Sequence, residues 1–360
     1  MPSTATVRAA AEAAVQRAQI SIDDAAIDTV IRGIDQKTFE QTRTHHGMAV
    51  PLRFDTPEEH INFMSSMAML NALSGYRTAF HEATGKGASD NMRRLALGLF
   101  LTPHAGADGP SPLSAAGMAV LRPGQLAEIL GVSLHVEQAH PTLPAVTVGT
   151  VGGPLHEALD SLAAMCRATG KYLLDQKYAS LGAYVASAIS AAAAASADPI
   201  AELLTRLVAL PGFADQSSTA DEPVYIYKKA FLLIHTLITN AERIELPELC
   251  ELARARDTLL AALPLFVDNV IPTLLVHWGV ICNVPEKREI TRDEGYRLRA
   301  AALVAGEKIV ARARALAAQH TELAFLGHII EAELDAYLWT AAKEPELRSI
   351  PRFAEKSTMY

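Results

Sequence analysis

Alanine recurs in almost every stretch of this 360-residue chain, and no residue costs less to place in a helix. Leu, Glu, Arg and Lys fill much of the rest, so the chain reads as mainly α with a small β element. Helix starts are legible. Thr56-Pro57-Glu58-Glu59 supplies a capping Thr, a Pro at the first helical position and a Glu able to return to the cap. Ile61, Met64, Ala68 and Ala72 then form an apolar stripe. Thr291-Arg292-Asp293-Glu294 repeats the box before a helix expected to run to about His320, burying Leu298, Ala301, Ala302, Ala305 and Ile309. Ser21 with Asp24 is a weaker version. Only Thr147 to Val151 and Pro223 to Tyr227 read as strands, enough for a hairpin or an edge pair.

Half of the residues are apolar and a fifth are charged, so a sizeable core is expected. Thirty-two Lys and Arg against forty Asp and Glu leave a net charge of -8, which argues against a nucleic-acid polymer as partner and leaves a small ligand open. Cys166, Cys250 and Cys282 are scattered and odd in number, so neither a disulfide framework nor a zinc ribbon is written. The apolar runs at 231–238 and 271–282 fall short of the roughly 20 residues that cross a bilayer. The first twenty residues read as an amphipathic helix rather than a transit peptide, and a cytosolic location is expected. An N-terminal helical segment, 1–55, is expected to precede a helical body, 56–360, with a sub-boundary near 195–222.

Twelve histidines invite a metal search. His45-His46 has no spaced third ligand, His135 and His140 flank Glu137 without HExxH spacing, and His320 and His328 sit eight apart, so no metal site is expected. Gly85-Lys86-Gly87-Ala88-Ser89 reads as a turn rather than a phosphate cradle. The informative stretch is Leu265-Phe266-Val267-Asp268-Asn269-Val270-Ile271-Pro272. An acid inside an apolar run loses solvation on burial and needs a reason to stay. Asp268 is then either the cap of a helix starting near Pro272 or a functional carboxylate.

Tyr225-Ile226-Tyr227-Lys228-Lys229-Ala230, the 266–279 stretch, Leu298-Arg299-Ala300-Ala301, Leu334-Asp335-Ala336-Tyr337-Leu338-Trp339, Ile350-Pro351 and Tyr360 follow one another as in the queuosine salvage family. Over roughly residues 62–360 the chain resembles a divergent, fungal-type member. That resemblance implies a fold similar to the helical DNA glycosylases, and hydrolysis of queuosine 5′-phosphate to queuine and ribose 5-phosphate without a cofactor.

Within the resemblance Asp268 matches the catalytic aspartate. Lys228 and Arg299 become phosphate candidates, with Lys356 a third. Tyr227, Trp278, Tyr337 and Trp339 become stacking faces, the pair Asn62-Phe63 a pocket element, and Asp335 a contact to the side arm of the base. Asn269 adjoins the aspartate where the family usually has Tyr. Asn269, Val270, Ile271, Pro272 and Thr273 replace Tyr-Arg, a small apolar residue, Pro and Gln, and Arg352 to Lys356 replace a His-rich approach to the end. Two rivals stand beside this reading: an N-glycosidase for another purine or modified nucleotide, and a non-catalytic helical protein that binds a nucleotide. Residue by residue the alternatives are bland: helix caps, surface cations, core aromatics, and for Asn62 a polar position on an outer helix face.

Overall fold

A computed structural model describes residues 2–44, 52–102, 109–140, 142–143, 145–195, 198–217 and 223–360. His45, His46, Pro103, Gly106, Ala197, Ser218 and Thr219 lie outside the described residues. The chain is mainly α, and its strands form two two-stranded sheets among the described residues. The helices that matter below are, in chain order, α1 (Thr4–Arg17), α2 (Asp24–Arg32), α3 (Gln36–Thr44), α4 (Pro57–Met69), α5 (Pro154–Asp175), α6 (Lys228–Thr239), α7 (Val270–His277), α8 (Arg292–Ala317) and α9 (Glu331–Ala341). The strands are β1 (Ser21–Ile22), β2 (His135–Ala139), β3 (Thr147–Val151) and β4 (Ile281–Cys282). No helix among the described residues is long and apolar enough to cross a membrane.

Contacts group the chain into two compact units. The first contains residues 1–53, 188–209 and 213–355. Its spine is α8, whose Leu298, Ala301, Ala302, Ala305 and Ile309 are all buried. Thr291 and Glu294 form the reciprocal capping box that starts it. Helices α1 and α2 pack on α8, and α3 packs on α9. Strand β1 pairs antiparallel with β4, matching Ser21 to Cys282. The Ser21 box is therefore displaced: Ser21 lies in a strand, and Asp23 caps α2 by accepting from the Ala26 N–H at 2.8 Å. Asp reaches its own helix from one residue before it, whereas Ser21 is too far upstream.

The second unit contains residues 54–187, 210–212 and 356–360. Thr56 caps α4 by accepting from Glu59, and the Glu59 carboxylate returns to the Asp55 N–H at 2.8 Å, one residue earlier than the box requires. The stripe Ile61, Met64, Ala68 and Ala72 is buried, together with much of the rest of α4. Strand β3 pairs antiparallel with β2, with Gly149 opposite Glu137, and not with 223–227. That stretch, in the first unit, instead bridges Tyr225 to Gln216, bonds Val224 to Ser217 and gives the N–H groups of Ile226 and Tyr227 to the Asp215 carbonyl. In α5, Gly170 lets backbone approach: a Cβ there would lie 2.5 Å from the Ala119 nitrogen. Gly85, at φ 70°, ends a helix rather than cradling an anion.

Candidate active site

Pro264 cannot continue a helix and biases Leu263 toward extended backbone, so the chain leaves the helix Arg256–Ala261 and runs without helical or strand bonding to Asp268. Every residue from 263 to 270 other than Pro264 and Asn269 is a buried apolar group or Asp268, and those two are buried as well. Backbone in that position has no water and no neighbouring strand to satisfy its N–H groups. Helix α9 supplies the acceptors. Glu331 Oε2 accepts from the Leu265 N–H at 3.1 Å and Asp335 Oδ1 from the Phe266 N–H at 3.0 Å. The two acids are four apart in sequence, one helical turn, and so hold two successive amides of the extended segment.

That segment ends at Asp268, which is 0% exposed. Its Oδ1 accepts from the Val270 N–H at 2.7 Å, and its Oδ2 pairs with Lys228 Nζ at 3.1 Å. Asp268 thereby tethers the first turn of α7 from the residue before its cap, Asn269, where a negative charge is favoured, and it anchors a buried ion pair. Lys228 opens α6, and a cation at a helix N-terminus is disfavoured unless a carboxylate meets it. Trp339 of α9 covers the ammonium, its ring centroid 6.0 Å from Nζ.

The acids differ in environment. Burial raises the Asp335 carboxyl well above the usual range, the Asp268 charge pushes the same way, and the Phe266 N–H and Lys228 oppose it. Burial also raises Glu331, against the ion pair and hydrogen bond from Arg8 and the Leu265 N–H. Arg8 Nη2 stands 2.6 Å from Glu331 Oε1 and Nη1 3.1 Å from Glu307.

A second buried pair lies in the same unit. Arg299 Nη1 meets Asp215 Oδ2 at 2.8 Å, the two side chains 1% and 0% exposed. The Arg299 guanidinium sits 4.6 Å from the Tyr296 ring centroid. Burial lifts the Tyr296 hydroxyl to about 12, with Asp215 adding and Arg299 opposing. Tyr227, at φ 50°, starts α6, stacks on Tyr225 with centroids 5.6 Å apart and donates to Gln216 at 2.8 Å. Its hydroxyl is also raised, first by burial.

The remaining candidates are spread out. Asn269 donates through Nδ2 to the Phe353 carbonyl at 2.9 Å. Half-buried Trp278 packs against Val270, Leu274 and Ala342 with Trp339. The Tyr337 hydroxyl accepts from the Asp35 N–H at 3.1 Å. Asn62, Phe63 and Lys356 belong to the other unit. There Asn62 is not an outer-face position: it donates to the Leu113 carbonyl and accepts from the Gly182 N–H. Phe63 sits in an aromatic group with Phe54 and Phe100, and exposed Lys356 pairs with Glu157 at 2.7 Å. Among the described residues no group of three or more His, Cys, Asp or Glu is placed to hold a metal ion.

Of the paired charged side chains in this unit, the sequence did not single out Arg8, Asp215 or Glu331. Glu331 had a signal, since it stands one turn before Asp335 on a helix otherwise apolar on that face. Asp215 and Arg8 had none, being a loop acid and a cation on an ordinary amphipathic helix.

A family model described as queuosine salvage protein matches residues 154–360, more than half of the chain. The chain belongs to that family. No curated protein matches it. Within the queuosine salvage match lie Tyr227, Lys228, Asp268, Asn269, Trp278, Arg299, Asp335, Tyr337 and Lys356, along with Asp215 and Glu331; Arg8, Asn62 and Phe63 precede it.

Proposed function

We propose that this queuosine salvage protein hydrolyses the N-glycosidic bond of queuosine 5′-phosphate, releasing queuine and ribose 5-phosphate. The observation that carries the reading is Asp268, a solvent-inaccessible carboxylate held by Lys228 and the Val270 N–H inside the family-matched region.

Breaking the C1′–N bond sends the bonding pair to the base nitrogen and leaves positive charge on the sugar. A carboxylate beside that sugar stabilises the developing cation strongly where water is excluded. Two of about four acceptor positions on Asp268 are in use, which leaves lone pairs to accept from the attacking water. Water oxygen bonds to C1′ and loses its proton, and the departing base takes one up. Because Asp268 is enclosed, the side chains covering it must move to admit a substrate.

The buried ion pairs recast two cations. Lys228 and Arg299 are already met by Asp268 and Asp215, which favours fixing the carboxylate and the loop before α6 over binding phosphate. Asn269 is engaged with Phe353, which favours a structural use where the family usually carries Tyr.

Purified protein would be incubated with queuosine 5′-phosphate, queuosine, AMP and GMP, and free base followed by mass spectrometry. Release of queuine from the 5′-phosphate that Asp268→Asn abolishes is the expected result. Release of another base moves the substrate to a different purine nucleotide. Saturable binding without any base release replaces catalysis by nucleotide binding.

A further inference from the structure

The geometry points to the N-terminal helices as a positioning part of the Asp268 site: Arg8 of α1 fixes Glu331, which with Asp335 holds the extended segment that presents the carboxylate. This rests on the reading of Asp268 as the catalytic group.

The chain of contacts is continuous. Arg8 Nη2 meets Glu331 Oε1 at 2.6 Å, and the other oxygen of that carboxylate accepts from the Leu265 N–H at 3.1 Å. One turn along α9, Asp335 accepts from the Phe266 N–H. Among the described residues no backbone carbonyl accepts from these two amides, since the segment has neither helical nor strand bonding. The α9 acids therefore act with Lys228 and the Val270 N–H in setting the location of Asp268, two residues beyond Phe266. Those carboxylates sit at the buried start and middle of a helix, and Arg8 is the cation that meets the first of them.

Two further contacts tie α9 to the same N-terminal region. Arg43 Nε stands 2.7 Å from Glu333 Oε1, and the Asp35 N–H donates to the Tyr337 hydroxyl. Helix α9 is thus held over its first two turns, at Glu331, Glu333 and Tyr337, by residues 8, 43 and 35, all of which precede the family-matched part of the chain. Close packing leaves the segment little freedom to compensate. Gly306 of α8 faces it so closely that an added Cβ would fall 2.2 Å from Leu265 Cδ1 and 3.7 Å from Glu331 Oε2. A shift of Glu331 is passed to Leu265 rather than absorbed in empty space. Glu331 and Asp335 are positioning residues here, and Arg8 positions them.

The test uses the full chain with Arg8→Met, Glu331→Gln and the double variant. Two readouts are taken: turnover of queuosine 5′-phosphate, and deuterium uptake by peptides covering residues 263–269. Arg8→Met is expected to lower kcat about 10–100-fold with KM changed less than about twofold, and to speed uptake in that segment. Glu331→Gln still accepts from Leu265 while carrying no charge, so the double variant is expected to recover most of the kcat lost in Arg8→Met. Unchanged kcat and uptake in Arg8→Met overturn the proposal. So does a double variant no better than Arg8→Met, which would leave Arg8 only a general stabiliser. If Arg8→Met does not fold, Arg8→Lys takes its place with the same readouts, since it keeps the charge and loses the two-pronged contact to Glu307 and Glu331. If the wild-type protein turns over no nucleotide, the proposed function falls, and uptake alone decides: faster exchange at 263–269 supports positioning and unchanged exchange refutes it.

Discussion

Replacing the two partners of the Lys228–Asp268 pair, singly and together, tests whether Asp268 is anchored by charge or only by its tether to α7. At 3.1 Å and an effective dielectric of about 20, two unit charges attract by about 5 kcal/mol. Removing both from water costs several kcal/mol per ion, so the net worth of the pair is small. Removing one partner is different, because it leaves the other charge buried: the side chains are 3% and 0% exposed. Asp268→Asn keeps an oxygen for the Val270 N–H, so the tether survives and the loss is electrostatic. Each of Asp268→Asn and Lys228→Met should therefore cost about 3–5 kcal/mol. At about 2–4 °C per kcal/mol, thermal unfolding followed by circular dichroism should show each single variant melting about 6–20 °C lower. The double variant should lose no more than either single one. Additive losses of about 6–10 kcal/mol in the double variant would refute the argument, since coupling between partners is what non-additivity measures. Singles within about 1 kcal/mol of the wild type would refute it too, by showing that the charges are hydrated after all.

Asp335 gives a pH signature. Its folded-state carboxyl is raised, so its contribution to stability is fully present below the ordinary aspartate value of 3.8 and is lost as pH climbs through the raised value. Asp335→Asn mimics the protonated acid at every pH, and the melting temperature of the variant minus that of wild type should be flat below about pH 4 and grow above it; a difference independent of pH would show that Asp335 is not held protonated. Arg299→Met should destabilise by about 3–5 kcal/mol in chemical denaturation, and adding Asp215→Asn should recover most of that, because the buried carboxylate is neutralised along with its cation. Gly182→Ala should cost about 1–3 kcal/mol, since its Cβ would meet the Glu58 carbonyl oxygen at 2.5 Å and Asn62 Cβ at 2.6 Å, and a variant that melts with the wild type would show that this contact yields.

How much of this could be read in advance differs between local and long-range features. The helical class, the caps at Thr56 and Thr291 and the buried stripes of α4 and α8 follow from residue types three and four apart, whose interactions are decided within a turn or two. Asp268 was singled out for the same kind of reason: a carboxylate in an apolar run declares its own desolvation problem. The strand at 147–151 was legible from β-branched residues, but its partner was not, and the similar-looking 223–227 became a loop tied to Asp215.

The sequence by itself determined which residues are helical, which faces are apolar and which acid stands out. Only the tertiary structure decided what answers that acid. Lys228 is 40 residues away, the carboxylates that hold the segment before it are 66 and 69 residues beyond the amides they accept from, and Arg8 comes from the far end of the chain. Pairings at such separations depend on which elements pack together, and that is set by burial summed over the whole unit rather than by any local pattern. A buried extended segment without a sheet must find acceptors somewhere, and its residues record that need without recording which side chains meet it.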